Sequence, residues 1–201
     1  MRKYVLVFMG LFITTLAIAQ NDSIVQPQEE GHKPEYGRMY LLLPGAVGNN
    51  VLADANRGVI GIGTSGSLPS FYNFYLGAGV ELMHYEVTDK ALAGNITSTN
   101  ITTVFAELFY KIQLAKDISV NPRIAVGSFF MSQKKDTKDY GNQDGPIYTV
   151  GINVDYRLVG WLKGFVGLNY SKLNGEITTN AEYSDFFNDM CQLNIVFGLK
   201  F

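Results

Sequence analysis

Cys191-Gln192-Leu193-Asn194-Ile195-Val196-Phe197-Gly198-Leu199-Lys200-Phe201 alternates without a break. Cys191, Leu193, Ile195, Phe197, Leu199 and Phe201 share one parity, and Gln192, Asn194, Val196, Gly198 and Lys200 share the other. A period of two marks a β-strand whose faces meet different surroundings. The same pattern runs backwards through the chain. Tyr148, Val150, Ile152, Val154, Tyr156 and Leu158 oppose Ile147, Thr149, Gly151, Asn153, Asp155 and Arg157. Leu162, Val166, Leu168 and Tyr170 oppose Trp161, Lys163, Phe165, Asn169 and Ser171. Ile118, Val120, Ile124, Val126 and Phe130 oppose Ser119, Asn121, Arg123, Gly127 and Phe129. Val104, Ala106, Leu108 and Tyr110 oppose Phe105, Glu107, Phe109 and Lys111, while Phe74, Leu76, Ala78, Val80 and Leu82 oppose Tyr75, Gly77, Gly79, Glu81 and Met83.

Two weaker strands are expected near 36–45 and 57–66. Tyr40-Leu41-Leu42-Leu43 does not alternate, and the second stretch is glycine-rich. Short connections are expected near 65–70, 115–117 and 159–160, and long ones near 46–56, 88–100, 132–146 and 174–189. Eight strands with alternating short and long loops predict an all-β chain: a closed antiparallel eight-stranded up-and-down transmembrane β-barrel with both ends on the periplasmic side. No segment from Tyr36 onward carries a helical period, and no apolar run there approaches 18 residues. If this part of the chain spans a membrane, a closed barrel is the form that satisfies its backbone. Pro122 falls inside a strand, where it removes a ladder bond, so a bulge is expected there.

The first residues read differently. Arg2 and Lys3 precede the apolar run Tyr4 to Leu16, and Ala17-Ile18-Ala19 is a small-residue cleavage site. This is the pattern of an export signal over 1–19. Residues 20–35 read as a polar linker and 36–201 as the barrel. Loss of Arg2 and Lys3 moves the formal charge from −2 to −4. A mildly acidic chain argues against nucleic acid as a partner. With a single Cys, Cys191, no internal disulfide can form.

The clean apolar faces are aliphatic at mid-strand and aromatic toward the ends. Phe74, Tyr156 and Phe201 fall at the expected periplasmic end, and Phe130, Tyr148 and Tyr170 at the outer end. Two aromatic rings around an aliphatic band match the two interfaces of a bilayer. The opposite parity then points inward with Glu81, Glu107, Lys111, Arg123, Asp155, Arg157, Lys163 and Lys200, beside Tyr75, Phe105, Phe109, Phe129, Trp161 and Phe165. An eight-stranded barrel is just wide enough for side chains to fill it. Unpaired charges there would be strongly destabilising. An interior polar network of Glu81, Glu107, Lys111, Arg123, Asp155, Arg157 and Lys163 is therefore expected, with Glu81 and Glu107 meeting Arg123, Arg157 or Lys111 and plugging the lumen.

The alternating strands, the export signal and the terminal Gln192 to Phe201 stretch resemble small outer-membrane barrels of the OmpA/OmpX type. The resemblance covers about residues 36–201. It implies that the final strand, with Phe197, Leu199 and Phe201, is read by the barrel-assembly machinery. It implies no catalytic motif and no cofactor. The implied role is structural or surface-interacting, as a monomer in outer-membrane lipid, with a possible extracellular partner at the long loops. Tyr183, Phe186 and Phe187 are candidate loop contacts.

Two other readings stand beside this one. An outer-membrane lipid-modifying enzyme would need His84 beside a Ser hydroxyl and a carboxylate. A soluble periplasmic lipocalin-like carrier would need an apolar lumen and a polar exterior. Gly61-Ile62-Gly63-Thr64-Ser65-Gly66 fits a dinucleotide fingerprint, but Ser67-Leu68-Pro69-Ser70 and a strand follow it where a helix would be required. Lys134 to Gly145 reads as a solvated loop tip, and its acid spacing is not that of a calcium loop.

Overall fold

The computed structural model describes residues 37–68, 71–93, 95–135, 138–175 and 188–201. The expected export signal over 1–19, the linker over 20–35, and Tyr183, Phe186 and Phe187 lie outside the described residues.

Among the described residues eight strands form one closed antiparallel sheet. They are β1 (Gly37–Leu43, continued by Ala46–Val47), β2 (Asn56–Ser67), β3 (Phe74–Val87), β4 (Ser98–Tyr110, continued by Ile112–Ala115), β5 (Ile118–Lys135), β6 (Lys138–Val159), β7 (Leu162–Asn174) and β8 (Asp189–Lys200). Each strand pairs with the next, and β8 returns to β1 through Met39↔Leu199 and Leu41↔Phe197. Closure leaves no sheet edge along this seam. The two ends of the ring are tied by paired bonds, Gly37 N to Phe201 O and Phe201 N to Gly37 O, each 3.0 Å.

The parity that decides orientation is clear. Val150 is 55% exposed and Ile195 46%, whereas Glu107 is 2% and Arg123 5% exposed. The aliphatic faces point out and the ionised ones in. This holds in β1 as well, where Tyr40 and Leu42 are buried and Leu41 and Leu43 exposed. The failure of Tyr40-Leu41-Leu42-Leu43 to alternate has a local cause: the lumen is apolar beside Leu42, so both faces of the strand are. The glycines of β2 serve close packing. A Cβ on Gly63 would overlap the Tyr40 ring.

Four expectations are corrected. The connection 132–146 is a strand hairpin rather than a loop, because β5 runs to Lys135 and β6 starts at Lys138. Its Gly, Asn and Asp content signals a turn, yet its backbone pairs across the hairpin, an instance of context overriding propensity. The connection after β1 contains a helix, α1 (Val51–Ala55), capped by Asn50, whose side chain accepts from Ala53 N at 3.0 Å. Five residues are too few to show a 3.6 period. The first short connection lies at 68–73 rather than 65–70, because β2 extends through Ser67. Pro122 carries no bulge. It stays in register with Ile152, and the irregularity falls on the opposite neighbour: pairing of β4 with β5 lapses over Tyr110 and Lys111, whose N–H bonds Asn73 O at 3.0 Å instead.

Candidate functional site

Two regions carry chemistry: the lumen and the outer belt. The lumen has two storeys. Toward the short turns it is charged. Glu107, on β4, lies between Arg38 of β1, which pairs with its Oε1, and Arg123 of β5, whose Nε is 3.0 Å from its Oε2. The Arg123 contact is an ion pair whose N–H does not point along it. Arg38 Nε also donates to Ser65 Oγ at 2.8 Å. With its amide turned to suit its neighbours, Asn169 accepts from Arg123 Nη1 at 3.0 Å and donates to the Leu168 carbonyl at 3.2 Å. Across the lumen Lys200 Nζ donates to Asp155 Oδ2 at 2.6 Å. Tyr40 donates its hydroxyl to Glu81 at 2.8 Å.

The inward aromatics complete this arrangement. Arg38 lies over the Phe109 ring at 5.4 Å, Arg123 over Phe105 at 5.3 Å, and Lys200 over both Phe109 and Phe165, at 5.7 and 5.3 Å. Phe109 is itself stacked on Tyr75 at 4.8 Å. Ring faces are electron-rich, so they offset part of the desolvation of the cations that face them. The phenylalanines of the polar parity thus share the work of the acids.

Toward the long connections the lumen becomes uncharged and largely apolar, with buried Asn56, Thr99 and Gln192 among its apolar side chains. Met83, Tyr85, Ile101, Phe129, Met131, Ile147, Leu173 and Met190 form one buried cluster, joined by Leu52 of α1 and by Ile96 of the β3–β4 connection. The helix thus packs against the lumen at this end, with Leu52 buried in the cluster.

The residues singled out from the sequence are placed as follows. Glu81, Glu107, Lys111, Arg123 and Asp155 are buried in the charged storey. Arg157 is not part of it. Its Nε stands 3.6 Å from Asp117 at the rim, and its side chain is 39% exposed. Arg157 lies next to the 160–161 turn, where solvent reaches it and the acid of the adjacent turn is nearest. Lys163 is half-buried at the same rim, in register with Arg157 and Lys200. Trp161 is corrected outright: it is exposed at the turn and meets Phe201 edge-on at 6.4 Å. It lies in the turn before β7 begins at Leu162, so the alternation of that strand does not extend to it. The sequence reading missed Arg38 as a partner of Glu107, because β1 showed no alternation to assign it a face. Lys200 had the inward parity and its pairing with Asp155 could have been read from that.

Phe197, Leu199 and Phe201 form an exposed row on β8. His84 Nδ1 lies 2.7 Å from Asn100 Oδ1. Along the ladder Asn100 stands between His84 and Ser132. Ser171 points inward and shares a 2.8 Å hydrogen bond with Thr149. Gly61 to Gly66 lie wholly within β2, so no helix N-terminus faces them.

The outer belt runs around the ring. Leu41, Ile62, Leu76, Val104, Ile124, Val150, Leu168 and Ile195 are its aliphatic part, all exposed. At the short-turn end it is bordered by Phe74, which packs on Tyr110 at 4.7 Å, and by Tyr156, Trp161 and Phe201. Toward the other end it is bordered by Phe130, Tyr148 and Tyr170.

No protein-family model and no curated protein matches the chain. Solved structures do. The crystal structure of Neisserial surface protein A superposes with a TM-score of 0.63 at 13% identity, covering 85% of this chain and 98% of that one. Ail, the attachment invasion locus protein of Yersinia pestis, gives a TM-score of 0.46 at 5% identity over 84% of this chain and 98% of its own. A major outer membrane protein from Thermus thermophilus gives 0.45 at 15% identity, covering 82% of this chain and 99% of that one. The first of these likenesses shows that the closed eight-stranded barrel is a fold shared with a known surface protein.

Proposed function

We propose that this chain is an exported, integral outer-membrane barrel, monomeric and non-catalytic, with a structural or surface-interaction role and a lumen filled by its own side chains. One observation carries the reading: exposed aliphatic side chains circle the barrel between two aromatic borders, while the buried ionised residues face inward. Soluble monomers rarely expose apolar patches beyond a few hundred Å². In a bilayer the same belt is solvated by acyl chains and the aromatic borders sit at the headgroups. The outer membrane is the bilayer that fits, since the apolar leader ending at Ala19 reads as an export signal and small barrels of this fold occupy that membrane. The row Phe197, Leu199 and Phe201 is what the assembly machinery would read. A partner, if one binds, would meet the long connections, with Tyr183, Phe186 and Phe187 as candidate contacts.

The other readings receive less support. The carrier reading needs a polar exterior, and the exterior is apolar. The enzyme reading needs a hydroxyl and a carboxylate at His84, and the neighbour there is the Asn100 amide.

The test is the migration of the native chain on a detergent gel, with and without boiling, after fractionation of expressing cells. A membrane-fraction protein whose mobility changes on boiling supports the reading. A soluble-fraction protein with one mobility overturns it.

A further inference from the structure

Outward-facing side chains of neighbouring strands line up in rows across the wall. One row contains Leu108, Ile124, Val150 and Tyr170. The next row toward the long connections contains Ala106, Val126, Tyr148 and Lys172. At Ala106 the wall lacks side-chain volume, and an apolar groove of about 510 Å³ opens there, lined from Leu76 on β3 to Lys172 on β7. Strands of a membrane barrel tilt by about 35–45°, so a row across them climbs the wall. The groove therefore rises from near the short-turn border to the outer one. Four strand spacings of about 4.8 Å give it a length of roughly 19 Å, the reach of a long acyl chain.

Charge is confined to the upper end of the groove. Lys172 follows Tyr170 along β7 and stands in register with Tyr148, so it lies at the outer aromatic border. Its Nζ is 3.2 Å from Asp189 Oδ2, and the two side chains are 45% and 51% exposed. An exposed pair of this kind contributes little by itself, so both of its members are open to further partners. A cation and an anion thus sit side by side at the mouth of an apolar furrow.

We propose that this groove is a lipid site, selective for an acyl lipid with a phosphoethanolamine headgroup. The chain lies along Ala106, the phosphate meets Lys172, and the ammonium donates to Asp189. The proposal rests on the membrane reading above and adds to it a single position on the belt with a headgroup preference. Charge complementarity picks the occupant. A purely anionic headgroup would gain the lysine only against the neighbouring aspartate, and a choline nitrogen has no N–H to donate. A second copy of the chain would bring a convex wall, which bridges a furrow rather than filling it.

The chain, extracted from membranes in detergent and stripped of lipid, is titrated with phosphatidylethanolamine, phosphatidylcholine or phosphatidylglycerol of identical acyl chains, and bound lipid is counted by native mass spectrometry. The expected result is one phosphatidylethanolamine per chain, bound about fivefold more tightly than phosphatidylcholine, the upper end for one exposed charge pair. Lys172→Gln and Asp189→Asn should each abolish that preference. Ala106→Phe, which fills the groove, should abolish retention while the barrel keeps its boiling-dependent mobility. Should Ala106→Phe fail to fold, the two surface variants decide alone. Equal retention of the three lipids, tighter retention of phosphatidylglycerol, native-like binding by a folded Ala106→Phe barrel, or a lipid-free dimer would overturn the proposal and leave the membrane reading standing. A chain absent from the membrane fraction, with one mobility before and after boiling, would overturn both.

Discussion

Glu107 is the residue on which the charged storey turns. It is an acid held between two buried guanidinium groups, Arg38 and Arg123, and every polar contact in that storey lies within a narrow tube. Removing its charge leaves both arginines buried and less compensated, so Glu107→Gln should cost about 3–5 kcal/mol, the range for breaking a buried pair from one side. Thermal unfolding in detergent checks it, and an unchanged midpoint would mean that the ring faces of Phe105 and Phe109 suffice for the cations. Asp117→Asn is the contrasting case. Its pair with Arg157 is half-exposed at 3.6 Å, and such pairs contribute about 0–1 kcal/mol, so the midpoint should hardly move. That the acids share one face was legible from parity, and the aromatic borders of the opposite face pointed them inward. Arg38 was not, because the strand that carries it is apolar on both faces just beyond it.

At the scale of elements, the barrel wall and the short helix packed on its lumen have different origins. β8 could be read residue by residue, since its two faces differ from Met190 to Lys200. Helix α1 could not. It is held by a local cap at Asn50 and by burial of Val51, Leu52 and Ala55, which is tertiary in origin. A helix this short has little stability of its own, so its packing decides whether it forms. Leu52→Ala should therefore cost about 2–5 kcal/mol, the usual range for a buried leucine, and loosen the outer mouth. Faster amide exchange at residues 51–55 than in the native protein, with β8 unchanged, would show the loosening, whereas protection equal to that of the native protein would show that the helix does not depend on Leu52. Pro122 teaches the same lesson from the other side: the sequence marks a missing donor, but only the sheet shows that β4 absorbs it at Tyr110 and Lys111.

At the scale of the whole molecule, the orientation of the wall makes a prediction that a soluble barrel would not share. Ile152 lies in the middle of the belt, in register with Leu168. If lipid surrounds it, Ile152→Lys should destabilise the barrel in vesicles by about 2–4 kcal/mol, as for a cation at the bilayer midplane. In water the same change would be close to neutral. Urea unfolding from vesicles reads the difference, and a midpoint within error of the native one would argue for a wet exterior. The alternation of side chains, read from Cys191 to Phe201 and back through the chain, was enough to determine six of the strands and their two unlike faces, because a pleated strand sends successive side chains to opposite sides whatever lies there. The alternation is the same for a barrel turned inside out. The aromatic borders gave the outward face as an expectation, but that Arg38 closes on Glu107, and that the lumen is charged at one end and uncharged at the other, were decided only by closure of β8 on β1, which brings side chains distant in the chain into one tube too narrow to leave any of them in bulk water.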